Sequence, residues 1–128
     1  MFDNDGKIVY PLASVPTKVE APSKWTYNKD EDITKLQKIL NSKGAKLTVD
    51  GIAGDNTYNA VSKYTINFLD RGDLTAWVQA RLNKLGFDCG VADGIAGSRT
   101  MSGIKEFQLA NNLGTGYLGG TDWYYLIK

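Results

Sequence analysis

The residues of this sequence that could do chemistry cluster around a pentapeptide that occurs twice. Asp-Gly-Ile-Ala-Gly stands at 50–54 and returns unchanged at 93–97. Its aspartates, Asp50 and Asp93, together with Glu106, could supply the two carboxylates with which a glycosidase cleaves its substrate. An acid and a base, however, need different environments to separate their pKa values. Because the two repeated aspartates occupy equivalent environments, the repetition favours a structural or binding role over catalysis.

The composition excludes most other catalytic and electrostatic classes. The 128 residues include no histidine, so the usual general base and the usual zinc ligand are missing. The single cysteine, Cys89, cannot form an internal disulfide, and its position favours a small buried thiol. Fifteen basic and fourteen acidic residues give a net charge of +1, which favours neither nucleic acid nor an acidic membrane as partner. We expect a chain that is not an enzyme and uses no cofactor or metal.

The first 29 residues predict an extended segment rather than a packed domain. Prolines recur through a polar background at Pro11, Pro16 and Pro22, a pattern typical of linkers. We expect Trp25 and Tyr27 to pack onto the domain that follows, and an aromatic platform for a ligand is the alternative. Residues 7–12 could form a short strand that pairs with a second copy of the chain or with a parent enzyme, so an assembly module, including a homo-oligomer, is the alternative function. Neither a secretory signal nor a membrane-spanning stretch is present, which predicts a chain made in the cytoplasm without a signal peptide.

Each pentapeptide predicts a tight turn that leads into a helix. The aspartate can accept a hydrogen bond from the backbone two residues on, and the glycine after it can adopt positive φ. The polar residues that follow each turn suit a helix start. Apolar spacing then predicts helices over 32–43, 57–68 and 100–111, another from a cap at Asp73 to a stop at Gly86, and a short closing helix within 121–126.

Two copies of one unit account for this order of elements. Leu-Gln-x-x-Leu-Asn at 36–41 returns as Val-Gln-x-x-Leu-Asn at 78–83. A helix–turn–helix of this size cannot close its apolar face alone, so such units stack and share a core. We therefore predict an all-α fold: a compact bundle of short helices built from two pseudo-symmetric helix-turn-helix repeats. The domain should span residues 30–127, with one repeat over about 30–72 and the other over about 73–127.

The ordered motifs resemble the peptidoglycan-binding type 1 domain, a small module of bacterial autolysins and phage endolysins. The resemblance rests on the residues Leu36-Gln37-x-x-Leu40-Asn41, Asp50-Gly51-Ile52-x-Gly54-x-x-Thr57, Val78-Gln79-x-x-Leu82-Asn83, Asp93-Gly94-Ile95-x-Gly97-x-x-Thr100, Phe107-Gln108 and Thr121-x-Trp123. It implies a non-catalytic module that binds peptidoglycan at the cell wall and anchors an N-terminal catalytic domain there. Ala53 and Ala96 depart from the aromatic residue common in the family, and Tyr64-Thr65 replaces its Phe-Gln pair in the first copy.

A wall ligand would present amino-sugar rings, acetamides and short peptides with carboxylates. Aromatic faces, carboxylates, amides and guanidinium groups are the side chains that recognise such groups. The candidate ligand-binding residues are Asp50, Asn56, Tyr58, Asp93, Arg99, Met101, Tyr117, Trp123 and Tyr124. Structural roles compete with several of these assignments. The two aspartates can simply hold their turns, Trp77 and Trp123 can be core residues, and Gln37 and Gln79 can bond backbone between helices.

Overall fold

The computed structural model describes residue 25 and residues 27–128, and these residues form five α-helices. The predicted strand at residues 7–12 and most of the predicted linker lie outside the described residues. The helices are α1 (Glu31–Ser42), α2 (Asp55–Val61), α3 (Asp73–Lys84), α4 (Ser98–Ala110) and α5 (Asp122–Ile127). Within the described part, β pairing is limited to three isolated antiparallel bridges. The predicted all-α class is confirmed. None of the described helices is long and apolar enough to cross a membrane.

Local chemistry explains where α1 and α3 begin, although the cap predicted for α3 is not the observed one. The Asp30 carboxylate caps α1 by accepting a hydrogen bond of 2.8 Å from the Asp32 amide. Asp73 was the predicted cap of α3, but this prediction is wrong because Gly72 is the capping residue and Asp73 is the first helical residue. Gly72 has φ +137° and donates its amide to the Gly94 carbonyl. A positive φ of this kind favours glycine over any residue with a side chain.

Helix α2 ends earlier than its apolar spacing predicted. The predicted helix ran over 57–68, whereas the observed helix ends at Val61. Ile66 leaves the helical path to pair with Leu118, and the two residues exchange backbone hydrogen bonds of 2.9 and 3.0 Å. Both side chains are buried. Phe68, the last residue of the predicted helix, therefore lies outside α2 and is exposed. A tertiary contact between distant segments overrides the local helical pattern here.

One core joins all five helices. Its fully buried side chains include Leu36, Leu40, Val61, Val78, Leu82, Ile104, Phe107, Trp123 and Leu126. Two indoles fasten loops and helix starts to this core: Trp77 Nε1 donates to the Asp32 carbonyl at 2.7 Å, and Trp123 Nε1 donates to the Tyr64 carbonyl at 2.9 Å. The predicted core role of both tryptophans is confirmed.

The core also takes in a residue that precedes the predicted domain boundary at residue 30. Trp25 is only 6% exposed and packs edge-on against Tyr124, with the ring centroids 4.9 Å apart. Its Nε1 donates to the Asp55 carboxylate at 2.9 Å. Tyr27, in contrast, is 60% exposed, so the prediction that both aromatics pack inward is correct only for Trp25. The folded unit therefore includes Trp25.

Candidate functional site

The first pentapeptide is folded around a buried glutamine of α1. Gln37 Oε1 accepts hydrogen bonds from the Asp50 and Gly51 amides at 3.0 and 2.9 Å. Its Nε2 donates to the Ile52 carbonyl at 3.2 Å and to Thr57 Oγ1 at 3.1 Å. The Gln37 side chain thus forms hydrogen bonds both with the turn and with Thr57 of the helix that follows it. We call this arrangement the first glutamine cradle.

The second pentapeptide repeats the arrangement around Gln79 of α3. Its Oε1 accepts from the Gly94 amide at 2.8 Å, and its Nε2 donates to the Ile95 carbonyl at 2.9 Å and Thr100 Oγ1 at 2.8 Å. The aspartate of each turn accepts from the amide two residues on, at 3.0 Å for Asp50 and 2.9 Å for Asp93. The structural roles predicted for these glutamines and aspartates are therefore correct.

A third cradle, which sequence analysis missed, lies around Gln108 of α4 and holds the loop before α5. Gln108 Oε1 accepts from the Gly116 amide at 3.1 Å, and its Nε2 donates to the Tyr117 carbonyl at 3.0 Å and Asp122 Oδ2 at 3.1 Å. Asp122 follows Gly116 by six residues, the interval that separates Gly51 from Thr57. The pentapeptide is absent at this place, so the only sequence signals were the Phe107-Gln108 pair and the spacing from glycine to the acceptor.

Hydrogen bonds in the two turns lower the pKa of both aspartates. For Asp50 the main cause is the Ile52 amide, followed by the Gln37 side chain. For Asp93 the causes are the Ile95 amide and then the Gln79 side chain. Both carboxylates are acceptors in these bonds, which favours their ionised form. The pKa of each aspartate is lowered, so neither has the raised pKa that a general acid needs.

This shared shift predicts a stability that falls in acid. A group whose pKa is lower in the folded state stabilises the fold above its ordinary range, and this contribution is lost as the pH falls through the folded-state pKa. We expect the urea midpoint of the wild type to fall between about pH 5 and about pH 3, and the Asp50→Asn/Asp93→Asn variant to show a smaller fall. Asparagine keeps the turn acceptor but cannot titrate. An equal fall in both proteins would contradict the assignment.

Beside the first cradle lies a cleft of about 740 Å³, which we call the first-unit cleft. It is lined by Tyr27, Gln37, Lys46, Leu47, Thr48, Asp50, Ile52, Gly54, Asp55, Asn56, Thr57 and Asn59. One wall is the loop that carries Lys46, and the other is the start of α2 with Asn56 and Asn59. These three side chains are exposed, and the exposed ring of Tyr27 stands at the edge. The cleft thus offers cationic, amide and aromatic groups together.

The structure places only two of the nine predicted ligand-binding residues, Asp50 and Asn56, in this cleft. Tyr58 packs near Trp25 instead, with ring centroids 6.1 Å apart. Trp123 and Tyr124 are buried in the core, so a polymer at the surface cannot contact their rings. Sequence reasoning missed Lys46, Asp55 and Asn59 as cleft residues, and their position next to the turn was the available signal. For Tyr27 it favoured packing over the ligand platform that was the alternative.

The other predicted residues lie at separate places on the second half of the chain. Asp93 lines a shallow depression of about 390 Å³ together with Arg71 and Ala76. Arg99 forms an exposed ion pair with Asp88. Met101 lies in a different depression with Phe68, and Tyr117 is exposed in the loop before α5. These four predicted residues therefore do not meet in one site.

Cys89 is buried at the side of α4, where its Sγ lies 3.8 Å from the Thr100 carbonyl oxygen. Burial, with a smaller effect from the Asp88 charge, raises the pKa of this thiol to about 11. We expect Cys89 to be unreactive toward a thiol reagent at about pH 8 in the folded protein, and reactive after unfolding in urea, because the thiolate is the nucleophile. Rapid labelling of the folded protein would contradict this burial.

Across the described residues, no cluster of three or more His, Cys, Asp or Glu side chains could hold a metal ion.

The fold and the site define a class of protein: a small helical module with an open surface cleft, in which a buried glutamine holds each pentapeptide turn. Residues 71–123 match the family described as "Putative peptidoglycan binding domain". The predicted resemblance is thereby confirmed over the second copy, and it supports peptidoglycan as partner and the cell wall as the place of action. No solved structure matches the chain.

Proposed function

We propose that this chain is the wall-binding part of a peptidoglycan hydrolase of the endolysin or autolysin type. In this proposal it holds an N-terminal catalytic domain of the parent protein against the bacterial wall. The family match of residues 71–123 supports binding to peptidoglycan. The observation that carries the location of binding is the first-unit cleft, which brings a cation, two amides and an aromatic ring to one surface.

The proposal includes a tandem organisation. The first copy, over about residues 30–72, and the second, over about 73–127, are two versions of the same module, and Trp25 adds to the first. The support is the near-identical set of hydrogen bonds made by Gln37 and Gln79, with the same partners in each turn. Only the second copy lies within the family match, so the assignment of the first rests on this geometry.

The groups of the cleft suit a peptidoglycan strand with its peptide. Lys46 can bind a peptide carboxylate, since the ion pairs among the described residues leave its ammonium group without a carboxylate partner. Asn56 and Asn59 can exchange hydrogen bonds with acetamide and peptide groups. Tyr27 can stack on the face of a sugar ring. The cleft volume of about 740 Å³ lies in the range typical of small-ligand sites, about 300–1,000 Å³.

The same geometry argues against a glycosidase. A general acid must carry a proton at neutral pH, which requires a raised pKa. Asp50 and Asp93 both have lowered pKa values because backbone amides and glutamine side chains donate to them. Neither of these two aspartates is suited to the acid role, which supports the binding without cleavage that we infer.

The test combines binding and lysis on one substrate. Purified chain is incubated with washed sacculi from several peptidoglycan chemotypes, the sacculi are sedimented, and the bound fraction is measured. The turbidity of a parallel suspension reports lysis. We expect the protein to sediment with at least one chemotype while the turbidity stays constant. Loss of turbidity would contradict the non-catalytic assignment, and absence of sedimentation with every chemotype would contradict wall binding.

A further inference from the structure

The walls of the first-unit cleft have exact positional counterparts in the second copy. In each copy an asparagine of the first helix holds the loop before the turn: the Leu47 amide donates to Asn41 Oδ1 at 2.8 Å, and the Cys89 amide donates to Asn83 Oδ1 at 2.7 Å. The residues just before these amides are Lys46 and Asp88, so they occupy equivalent positions. On the opposite wall, Asn56 and Arg99 each precede the threonine that binds the cradle glutamine.

These equivalent pairs behave differently in the two copies. In the first copy, Lys46 and Asn56 line opposite walls of an open cleft. In the second copy, Arg99 Nη2 reaches Asp88 Oδ2 at 2.6 Å and so joins the two walls. The Arg99 side chain packs against Gly90: a Cβ atom built on that glycine would lie 3.0 Å from Arg99 Cδ. The ion pair thus stands where the first copy is open.

A second difference concerns the aromatic edge. Tyr27 and Leu69 both have positive φ, +60° and +71°, and each lies two residues before the residue that bridges to the turn isoleucine. They are therefore equivalent positions. Both side chains are exposed, but only the first copy presents an aromatic ring there. At this position the second copy thus has an exposed leucine in place of the sugar-stacking ring.

We propose that the two copies are unequal: the first-unit cleft is the ligand site, and the Asp88–Arg99 ion pair closes the equivalent cleft of the second copy. This inference rests on the proposed function, since it concerns the same peptidoglycan ligand. Each chain then has one open site, in the first copy. The equivalent site in the second copy is closed, and a few side-chain substitutions should open it. The matched portion of the chain is then the closed copy, and the copy outside the match performs the binding.

The test is an NMR titration with a soluble disaccharide-tetrapeptide prepared from the sacculi that bind the chain. For the wild type we expect ligand-dependent shifts in the amides of residues 46–59 and none in residues 88–102. The Asp88→Lys/Arg99→Asn/Leu69→Tyr variant should show saturable shifts in both ranges. The reverse exchange, Lys46→Asp/Asn56→Arg, should weaken binding at the first cleft at least about tenfold, because it places a bridging ion pair there. The control is Asp88→Asn/Arg99→Gln, which removes the ion pair without supplying the groups of the first cleft.

The outcomes separate this inference from the proposed function. Equal shifts in both ranges of the wild type, unchanged affinity of the reverse exchange, or no new shifts in the opened variant would each overturn the inequality while wall binding stands. All exchanged positions are exposed in the structure, so the fold should survive, and the dispersion of the same spectra reports whether it does. If the opened variant unfolds, the reverse exchange and the wild-type shift map still decide the question. Loss of sacculus binding by the wild type would instead overturn the proposed function.

Discussion

Replacing Trp123 with alanine is expected to lower the free energy of unfolding by about 3–5 kcal/mol. The indole is fully buried at the centre of the core, and its removal leaves a large cavity. It also removes the hydrogen bond from Nε1 to the Tyr64 carbonyl, which fastens the segment after α2 to α5. Urea unfolding followed by far-ultraviolet circular dichroism measures the loss.

Two variants control this prediction. Trp123→Phe keeps most of the apolar volume but lacks the indole donor, so its loss should be smaller than that of the alanine variant. Tyr117→Ala removes an aromatic ring from an exposed position and should change the stability by less than about 0.5 kcal/mol. If Trp123→Ala destabilised the protein no more than Tyr117→Ala does, the assignment of Trp123 to the core would be wrong.

Replacing Gln37 with leucine is the second large perturbation, and we expect a loss of about 3 kcal/mol. The leucine has a similar volume but no polar atoms. The buried Gly51 amide would lose its acceptor and the buried Thr57 hydroxyl would lose a donor, and each unsatisfied buried group costs about 1–3 kcal/mol. The turn would lose the side chain that holds it to α1.

Matched positions make this prediction specific. Gln79→Leu should produce a loss of similar size, since Gln79 makes the equivalent bonds in the second copy. Lys38→Ala, at the exposed neighbour of Gln37 on α1, should change the stability by less than about 0.5 kcal/mol. Unchanged stability of Gln37→Leu in thermal or urea unfolding would show that the cradle is not what holds the turn.

Much of the fold could be predicted because its determinants are local. The pentapeptides, with an aspartate acceptor and a glycine at positive φ, specify their turns within five residues, and α1 and α3 follow from apolar spacing. The early end of α2 could not be predicted in this way. It depends on the pairing of Ile66 with Leu118, residues far apart in sequence whose contact exists only in the folded chain.

The candidate site was less predictable than the fold. Residue type suggested Trp123 and Tyr124 as sugar-binding aromatics, but their burial depends on how α5 packs against the core. Tyr27 was expected to pack inward and instead stands exposed at the cleft edge. The first copy departs further from the family pattern, with Tyr64-Thr65 in place of the Phe-Gln pair, although this copy has the open cleft. Whether Arg99 is available to a ligand depends on its pairing with Asp88, which residue types alone do not reveal.

The central claim is that the chain binds the wall through the first-unit cleft. The most direct test compares sacculus binding of the wild type with Lys46→Ala/Asn56→Ala/Asn59→Ala, which removes the exposed polar groups of that cleft. Ser98→Ala/Ser102→Ala, with exposed positions on the corresponding helix α4, is the control. We expect the triple variant to lose at least about tenfold in affinity, as removal of several ligand hydrogen bonds should produce, and the control to bind like the wild type. Wild-type binding by a folded triple variant would contradict the claim.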